Sequence, residues 1–196
     1  MKKFYLPLLV ATAVFAMPAS ALAANHWFKN GVEVAQNGKH LPTIGWGTLS
    51  LESAVGTITC ENSSVGYVDN PVGGGNGQDA TETFNPTSCT SACPEPIKVI
   101  AKGLPWPSEL EEPEPGVIRD KFTGIEVEII CPIAGIDVVF SGENKPKVKN
   151  GTSASKPTLD VFGPGSGELT SVAGPGKTTG EAKTEGYEAQ EVLTAH

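Results

Sequence analysis

Residues 125–131 read Ile-Glu-Val-Glu-Ile-Ile-Cys, and this stretch decides the fold class. Its odd-numbered positions are apolar and its even-numbered positions are mostly charged, which is the two-residue period of a strand with one buried face. Residues 97–102 and 136–140 alternate in the same way. The chain has 23 glycines and 16 prolines among 196 residues, a composition that disfavours long helices. We expect an all-β fold of antiparallel hairpins, either a sandwich or a partly open barrel.

Residues 1–23 have the pattern of an export signal. Lys2 and Lys3 precede an apolar run, and Ala21-Leu22-Ala23 offers a cleavage site of small residues. The apolar run is too short to be a permanent membrane anchor. We therefore predict a signal peptide over residues 1–23, a secreted extracellular protein, and no membrane insertion after the signal is cleaved.

The rest of the chain divides by composition. Residues 24–157 hold all four cysteines and the strongest strand patterns, and we expect them to form a disulfide-bearing β domain. Residues 158–196 are rich in Gly, Thr and Ser, with short strand candidates between Gly-Pro-Gly turns. We interpret this segment as a β-meander or a semi-ordered C-terminal part of the same domain.

Four cysteines in an exported chain indicate two disulfides. Zinc binding is disfavoured because the chain offers one C-x3-C pair and has no His between Cys60 and Cys131. Pairing Val99 with Ile125 across a hairpin would place Cys93 opposite Cys131 and keep the apolar residues on one face. Two connectivities stay open, with the first favoured: Cys60–Cys89 with Cys93–Cys131, or Cys60–Cys131 with Cys89–Cys93.

The sequence contains no recognisable catalytic constellation. None of the three histidines lies in a motif with a nucleophile, and Ser166 lacks the flanking glycine spacing of a nucleophile elbow. The net charge of −8 excludes nucleic-acid binding through phosphate neutralisation. We therefore expect a protein that is not an enzyme, has no cofactor and does not bind nucleic acid.

Two features are candidates for ligand contact. Trp106 lies between two prolines, and we expect it to be the most exposed tryptophan, able to stack on a sugar ring. Glu109, Glu111 and Glu112 follow it, and we expect them at a hairpin tip that could bind a cationic partner. The expected partner is an extracellular polysaccharide or protein.

Residues 74–79 read Gly-Gly-Asn-Gly-Gln-Asp and match the first six positions of a calcium-binding repeat, GGxGxDxUx. That repeat binds calcium in tandem copies, whereas this chain has one copy, with Thr81 in place of the large apolar residue. Asp79 is a candidate calcium ligand on this pattern, but we predict no metal site. The simpler interpretation of residues 70–79 is an exposed glycine-rich connection.

Several short motifs run through most of the chain and form a specific pattern together. They are His26-Trp27, Asn30-Gly31, and residues 46–49, 58–60, 70–75, 103–106, 118–119, 124–131, 150–153 and 186–191. In this pattern the chain resembles a group of uncharacterised exported β-rich proteins from soil Actinobacteria. The resemblance implies an exported, disulfide-bearing β domain and supplies no catalytic residues.

The sequence therefore predicts an exported, non-enzymatic β-domain protein that acts as an extracellular binding or surface-interaction module. One alternative is a structural component of the cell envelope. The other is a hydrolase that cleaves extracellular polymers with carboxylates, which would require two acidic side chains that converge in a cleft.

Overall fold

The computed structural model describes residues 24–93, 96–188 and 191–196. The predicted signal peptide, residues 1–23, lies outside the described residues. The described part of the chain forms one short 3-10 turn (Pro132–Ala134) and fourteen strands: β1 (Trp27–Lys29), β2 (Val32–Glu33), β3 (Leu41–Ser53), β4 (Gly56–Asp69), β5 (Gln78–Ser91), β6 (Lys98–Lys102), β7 (Trp106–Glu114), β8 (Val117–Cys131), β9 (Ile136–Asn144), β10 (Lys147–Lys149), β11 (Thr158–Phe162), β12 (Glu168–Ser171), β13 (Gly174–Gly186) and β14 (Leu193–Ala195).

Eight strands close into an antiparallel barrel. Their order around it is β3, β4, β5, β7, β8, β9, β12 and β13, and β13 returns to pair with β3. β6 pairs with β8 beyond the end of β7, while β10 and β11 continue the positions of β9 and β12. The prediction of an all-β fold with two disulfides is confirmed. The sandwich and the partly open barrel are both wrong, because the β13–β3 ladder closes the sheet.

Closure depends on glycines that let β3 and β13 approach closely. A Cβ on Gly47 would clash with the carbonyl oxygen of Glu181, and a Cβ on Gly180 would clash with that of Thr48. The β3–β4 register is continuous through Gly45 and Gly47. The apolar residues there alternate irregularly because some of them lie on the outer face of β3.

Both disulfides join the favoured partners, Cys60–Cys89 and Cys93–Cys131. The register used to argue for the second one is wrong by four residues, because Val99 lies opposite Ile129 rather than Ile125. A shift of four is even, so every side chain stays on its predicted face. The offset arises because the hairpin turn lies at residues 115–116, so that β6 and β7 follow one another along the same edge of β8.

A small second sheet, in the order β14-β1-β2, covers one end of the barrel. Its hairpin turns at Asn30 and Gly31, which have φ of 51° and 78°, as the Asn-Gly dipeptide predicts. Asn70 joins this sheet to the barrel rim. Its Oδ1 accepts a hydrogen bond from the backbone N–H of Trp27 (2.8 Å), and its Nδ2 donates to the carbonyl oxygens of Trp27 and Val34 (2.9 Å each).

Two separate apolar clusters lie inside the barrel. The cap cluster, under the small sheet, consists of Trp27, Val34, Val68, Leu110, Val148, Leu193 and Ala195. The floor cluster consists of Ile58, Cys60, Trp106, Ile125, Ile129, Val138, Phe140 and Leu169. Between the two clusters the barrel interior contains polar side chains and open space.

Candidate functional site

Three adjoining cavities lie along the barrel interior. The central cavity has a volume of about 120 Å³, the lower cavity about 80 Å³ and the upper cavity about 40 Å³. Phe84 and Leu169 line both the lower and the central cavity, while Phe122 and Asp160 line both the central and the upper cavity. Eight-stranded barrels are just wide enough either to be filled by side chains or to hold one small ligand. This interior is incompletely filled.

Three aspartates from three strands line the upper cavity: Asp79 of β5, Asp120 of β8 and Asp160 of β11. We call them the carboxylate layer. Asp120 and Asp160 are 2% and 6% exposed. Asp79 also borders an outer groove, but its Oδ2 is buried. One oxygen of each carboxyl group, namely Asp79 Oδ2, Asp120 Oδ1 and Asp160 Oδ1, is buried without a hydrogen bond from an N–H or hydroxyl donor of the described residues, although the Asp79 and Asp120 carboxyl groups contact each other.

Burial raises the pKa of every member of the carboxylate layer. For Asp79 burial is the main cause and the negative charge of Asp160 adds to it, so the pKa reaches about 8 although contact with Asp120 lowers it. Burial and the neighbouring Asp79 hold the pKa of Asp120 well above its usual range. Burial and Asp120 do the same for the pKa of Asp160. Near pH 7 the Asp79 carboxyl group therefore retains its proton unless a positive charge is brought to it.

No side-chain cation within the described ranges offsets this charge. The ion pairs formed by Lys, Arg and His there all involve other carboxylates. Among the same residues, no three His, Cys, Asp or Glu side chains are arranged to hold a metal ion. The carboxylate layer can therefore be neutralised by protons or by a bound cation that is not a side chain of the described residues.

Further unpartnered polar atoms surround the layer. Asn144 is 1% exposed, and its Nδ2 donates to Thr178 Oγ1 (3.3 Å), but its Oδ1 has no partner and the residue lines the central cavity. Trp27 Nε1 is also buried without a hydrogen bond to any described residue. Buried polar groups are rarely left unpaired, because each one costs about 1–3 kcal/mol. Trp27, Asn144 and the three aspartates all line the upper or the central cavity, which marks this part of the barrel interior as a candidate site.

Strand alternation and register bring these groups together. Asp79 lies opposite Ser108 on the neighbouring strand β7. On β11, Thr158, Asp160 and Phe162 alternate with outward-facing residues, so they share the inner face. Sequence reasoning missed Asp120 and Asp160. The available signal was an aspartate at an inward position of an otherwise apolar strand, where acidic residues are disfavoured.

The expected exposure of Trp106 is wrong. The residue is 5% exposed, its Nε1 donates to the carbonyl oxygen of Lys102 (2.7 Å), and its ring centroid lies 5.4 Å from that of Phe84. The flanking prolines suggested a loop, but Trp106 begins β7 and its side chain points into the barrel. It lines the central cavity, so any ligand contact it makes would be from inside.

The predicted acidic tip is found only in part: Glu109 and Glu111 lie along β7, whereas Glu112 Oε1 accepts a hydrogen bond from the backbone N–H of Gly116 in the hairpin turn at residues 115–116. Glu109 Oε1 accepts a hydrogen bond from Asn76 Nδ2 (3.1 Å), and Glu111 lies 3.7 Å from the Lys145 ammonium. None of these three glutamates lines the interior cavities described above. Strand β7 therefore directs them away from the carboxylate layer.

Asp79, the candidate calcium ligand, belongs to the carboxylate layer rather than to the glycine-rich connection. Residues 73–75 of that connection are exposed and have positive φ, as expected for a turn. Its two ends are buried, however, at Asn70 and Gly77. A Cβ on Gly77 would lie 2.8 Å from Cδ1 of Trp27, so this glycine is required by packing against the cap.

The described residues form no helix that is long and apolar enough to cross a membrane. Neither a protein-family model, nor a curated protein, nor a solved structure matches the chain.

Proposed function

We propose that this protein is an exported binding protein that holds a small molecule inside its barrel. The observation that carries the proposal is the line of cavities inside the barrel, which runs from the cap cluster into the floor cluster and has apolar walls and a few unpartnered polar atoms. Ligand pockets in proteins typically combine apolar lining with a small number of polar groups that fix orientation. The two disulfides support export, because such bonds persist in oxidising compartments.

The apolar part of the proposed site is well defined. Phe84, Trp106, Phe122 and Leu169 line the central cavity and provide aromatic and aliphatic surface. An apolar cavity of about 150 Å³ is large enough to bind benzene, so the central and lower cavities together accommodate one ring with a short substituent. The ligand is therefore a small molecule rather than a polymer.

An NMR titration of the mature, oxidised protein with two compounds of this size, 2-phenylethanol and phenethylamine, tests the proposal. We expect at least one of them to shift the resonances of Phe84 and Leu169 in a saturable manner. Ala182→Leu fills the central cavity, since Ala182 lines it, and is expected to abolish binding. The same substitution at an exposed alanine, Ala54→Leu, is the matched control and should leave binding unchanged.

Binding of neither compound would contradict the proposal, as would binding that Ala182→Leu leaves intact. In the second case the compounds would occupy some other surface of the protein.

A carboxylate-dependent hydrolase is the second candidate, because Asp79 and Asp120 interact directly and both have a raised pKa. Such a pair can act as general acid and base. The binding function is favoured because the upper cavity has a volume of only about 40 Å³ beneath the cap. Release of dye from chromogenic polysaccharides by the wild-type protein, lost in Asp120→Asn, would favour the hydrolase instead.

A further inference from the structure

We propose that the ligand is a small protonated amine on an apolar body, with its ammonium group in the carboxylate layer and its apolar part in the central cavity. This inference rests on the proposed binding function and specifies its ligand class. It follows from the chemistry of the groups that surround the upper cavity.

The upper cavity has an excess of negative and acceptor groups over cations. Asp79, Asp120 and Asp160 enter it from three different strands, and the neighbouring Thr184 and Ser64 are neutral. The cap contributes the indole of Trp27, which carries no charge. With no Lys, Arg or His among the residues that line it, a bound cation would find a site without a competing internal partner.

An independent observation comes from Asn144. Its side chain is almost fully buried, and its unpartnered Oδ1 belongs to a residue that lines the central cavity together with Asp160. An amide oxygen and carboxylate oxygens are all hydrogen-bond acceptors, whereas an ammonium group supplies three donors and no acceptor. A protonated amine can therefore satisfy several of these orphaned atoms at once.

The cavity sizes favour an organic amine over an inorganic ion. A site for one water molecule needs about 10–15 Å³ by the same kind of measure, so the upper cavity of about 40 Å³ has room for an ammonium group. The central cavity continues from it with predominantly apolar walls, which a hydrated metal ion would leave unused. The described acidic side chains also lack a three-ligand metal arrangement.

The test compares phenethylamine with 2-phenylethanol, which replaces the ammonium group by a hydroxyl of similar size. Calorimetry at pH 7 should show the amine binding at least tenfold more tightly to the wild-type protein. Asp160→Asn removes one charge with little change in shape and should reduce amine affinity at least tenfold, while alcohol affinity stays within twofold. Asp137→Asn, the same change on the exposed outer face of β9, should alter neither affinity.

Equal affinity of the two compounds for the wild-type protein would overturn the amine assignment while leaving the binding function intact. Failure of both compounds to bind would instead remove the binding function itself. The wild-type comparison needs no variant, and retained alcohol binding verifies that Asp160→Asn has kept its cavity. If CaCl2 alone displaced the amine and bound more tightly, the layer would be a metal site and the proposal would be wrong.

Discussion

The floor cluster and the carboxylate layer lie in the same barrel but bury opposite kinds of side chain, apolar in the first and acidic in the second. In the floor cluster, Phe140 is fully buried among apolar side chains, and the Cys60–Cys89 disulfide lies at its edge. In the carboxylate layer, three acidic groups are buried with unpaired oxygens. The first region stabilises the fold, and the second lowers its stability. Buried ionisable groups that lower stability are expected at functional sites, where they bind a ligand rather than contribute to packing.

We expect the largest loss of stability from a substitution in the floor cluster. Phe140→Ala removes a fully buried ring and leaves a cavity, so we expect a loss of about 3–5 kcal/mol in the free energy of unfolding. Urea denaturation followed by circular dichroism measures it. Val139→Ala is the control, because Val139 is 37% exposed on the other face of β9 and should change stability far less. Equal effects would mean that the inner and outer faces have been assigned incorrectly.

The next effect concerns the cap, which covers the carboxylate layer. Asn70→Ala leaves the N–H of Trp27 and the carbonyl of Val34 without this partner, whereas the carbonyl of Trp27 still accepts a hydrogen bond from the N–H of Val34. Each unpaired buried group costs about 1–3 kcal/mol, so we expect a loss of about 3 kcal/mol. Thermal denaturation of Asn70→Ala beside Asn85→Ala, at an exposed site on β5, checks this. A wild-type-like melting temperature would show that the cap is held in another way.

The pH dependence of stability separates the two regions. The folded-state pKa of Asp79 is about 8, above the ordinary aspartate pKa of 3.8, so between these values the folded protein binds more protons than the unfolded chain. Stability contributed by the protonated group is present at acid pH and is lost as the pH rises through this window, by roughly 1 kcal/mol per pH unit. Asp120 and Asp160 add to the same trend.

Denaturation of the ligand-free protein at pH 5, 6 and 7 measures that slope. Asp79→Asn should flatten it, whereas the exposed Asp137→Asn should leave it unchanged. Stability that rises with pH over this range would contradict the raised pKa and the burial of the layer.

The smallest effects are expected for the glutamates of β7. Glu109→Gln and Glu112→Gln alter exposed side chains outside the interior cavities, so each should change stability by less than about 0.5 kcal/mol. Their affinity for 2-phenylethanol and phenethylamine should stay within twofold of wild type by calorimetry. A larger loss of affinity would indicate that the ligand binds on the outer surface of the protein.

Local patterns predicted much of the fold. The alternation of residues 125–131 and the turn at Asn30-Gly31 follow from short-range rules, and of the two disulfide connectivities left open the structure has the favoured one. Barrel closure did not follow, because β13 has few apolar residues and its role depends on a close approach at Gly47 and Gly180. This close approach can be recognised only once β3 and β13 are known to be neighbours in the barrel.

The candidate site could be predicted far less well. Asp79 was noted for its glycine-rich context, which is unrelated to its position in the carboxylate layer. Asp120 and Asp160 gave only the weak signal of an acidic residue on an inward face, and their proximity depends on strands far apart in sequence. Trp106 was noticed for the wrong reason, because its flanking prolines suggested exposure while the alternation of β7 turns it into the barrel.

The most direct test of the proposed binding mode is a crystal structure of the mature protein grown with phenethylamine. We expect the amine nitrogen to lie within hydrogen-bond distance of Asp160 and of at least one other member of the carboxylate layer, with the ring beside Trp106 and Phe122. A ring bound on the outer surface, with only water between the cap and floor clusters, would contradict it.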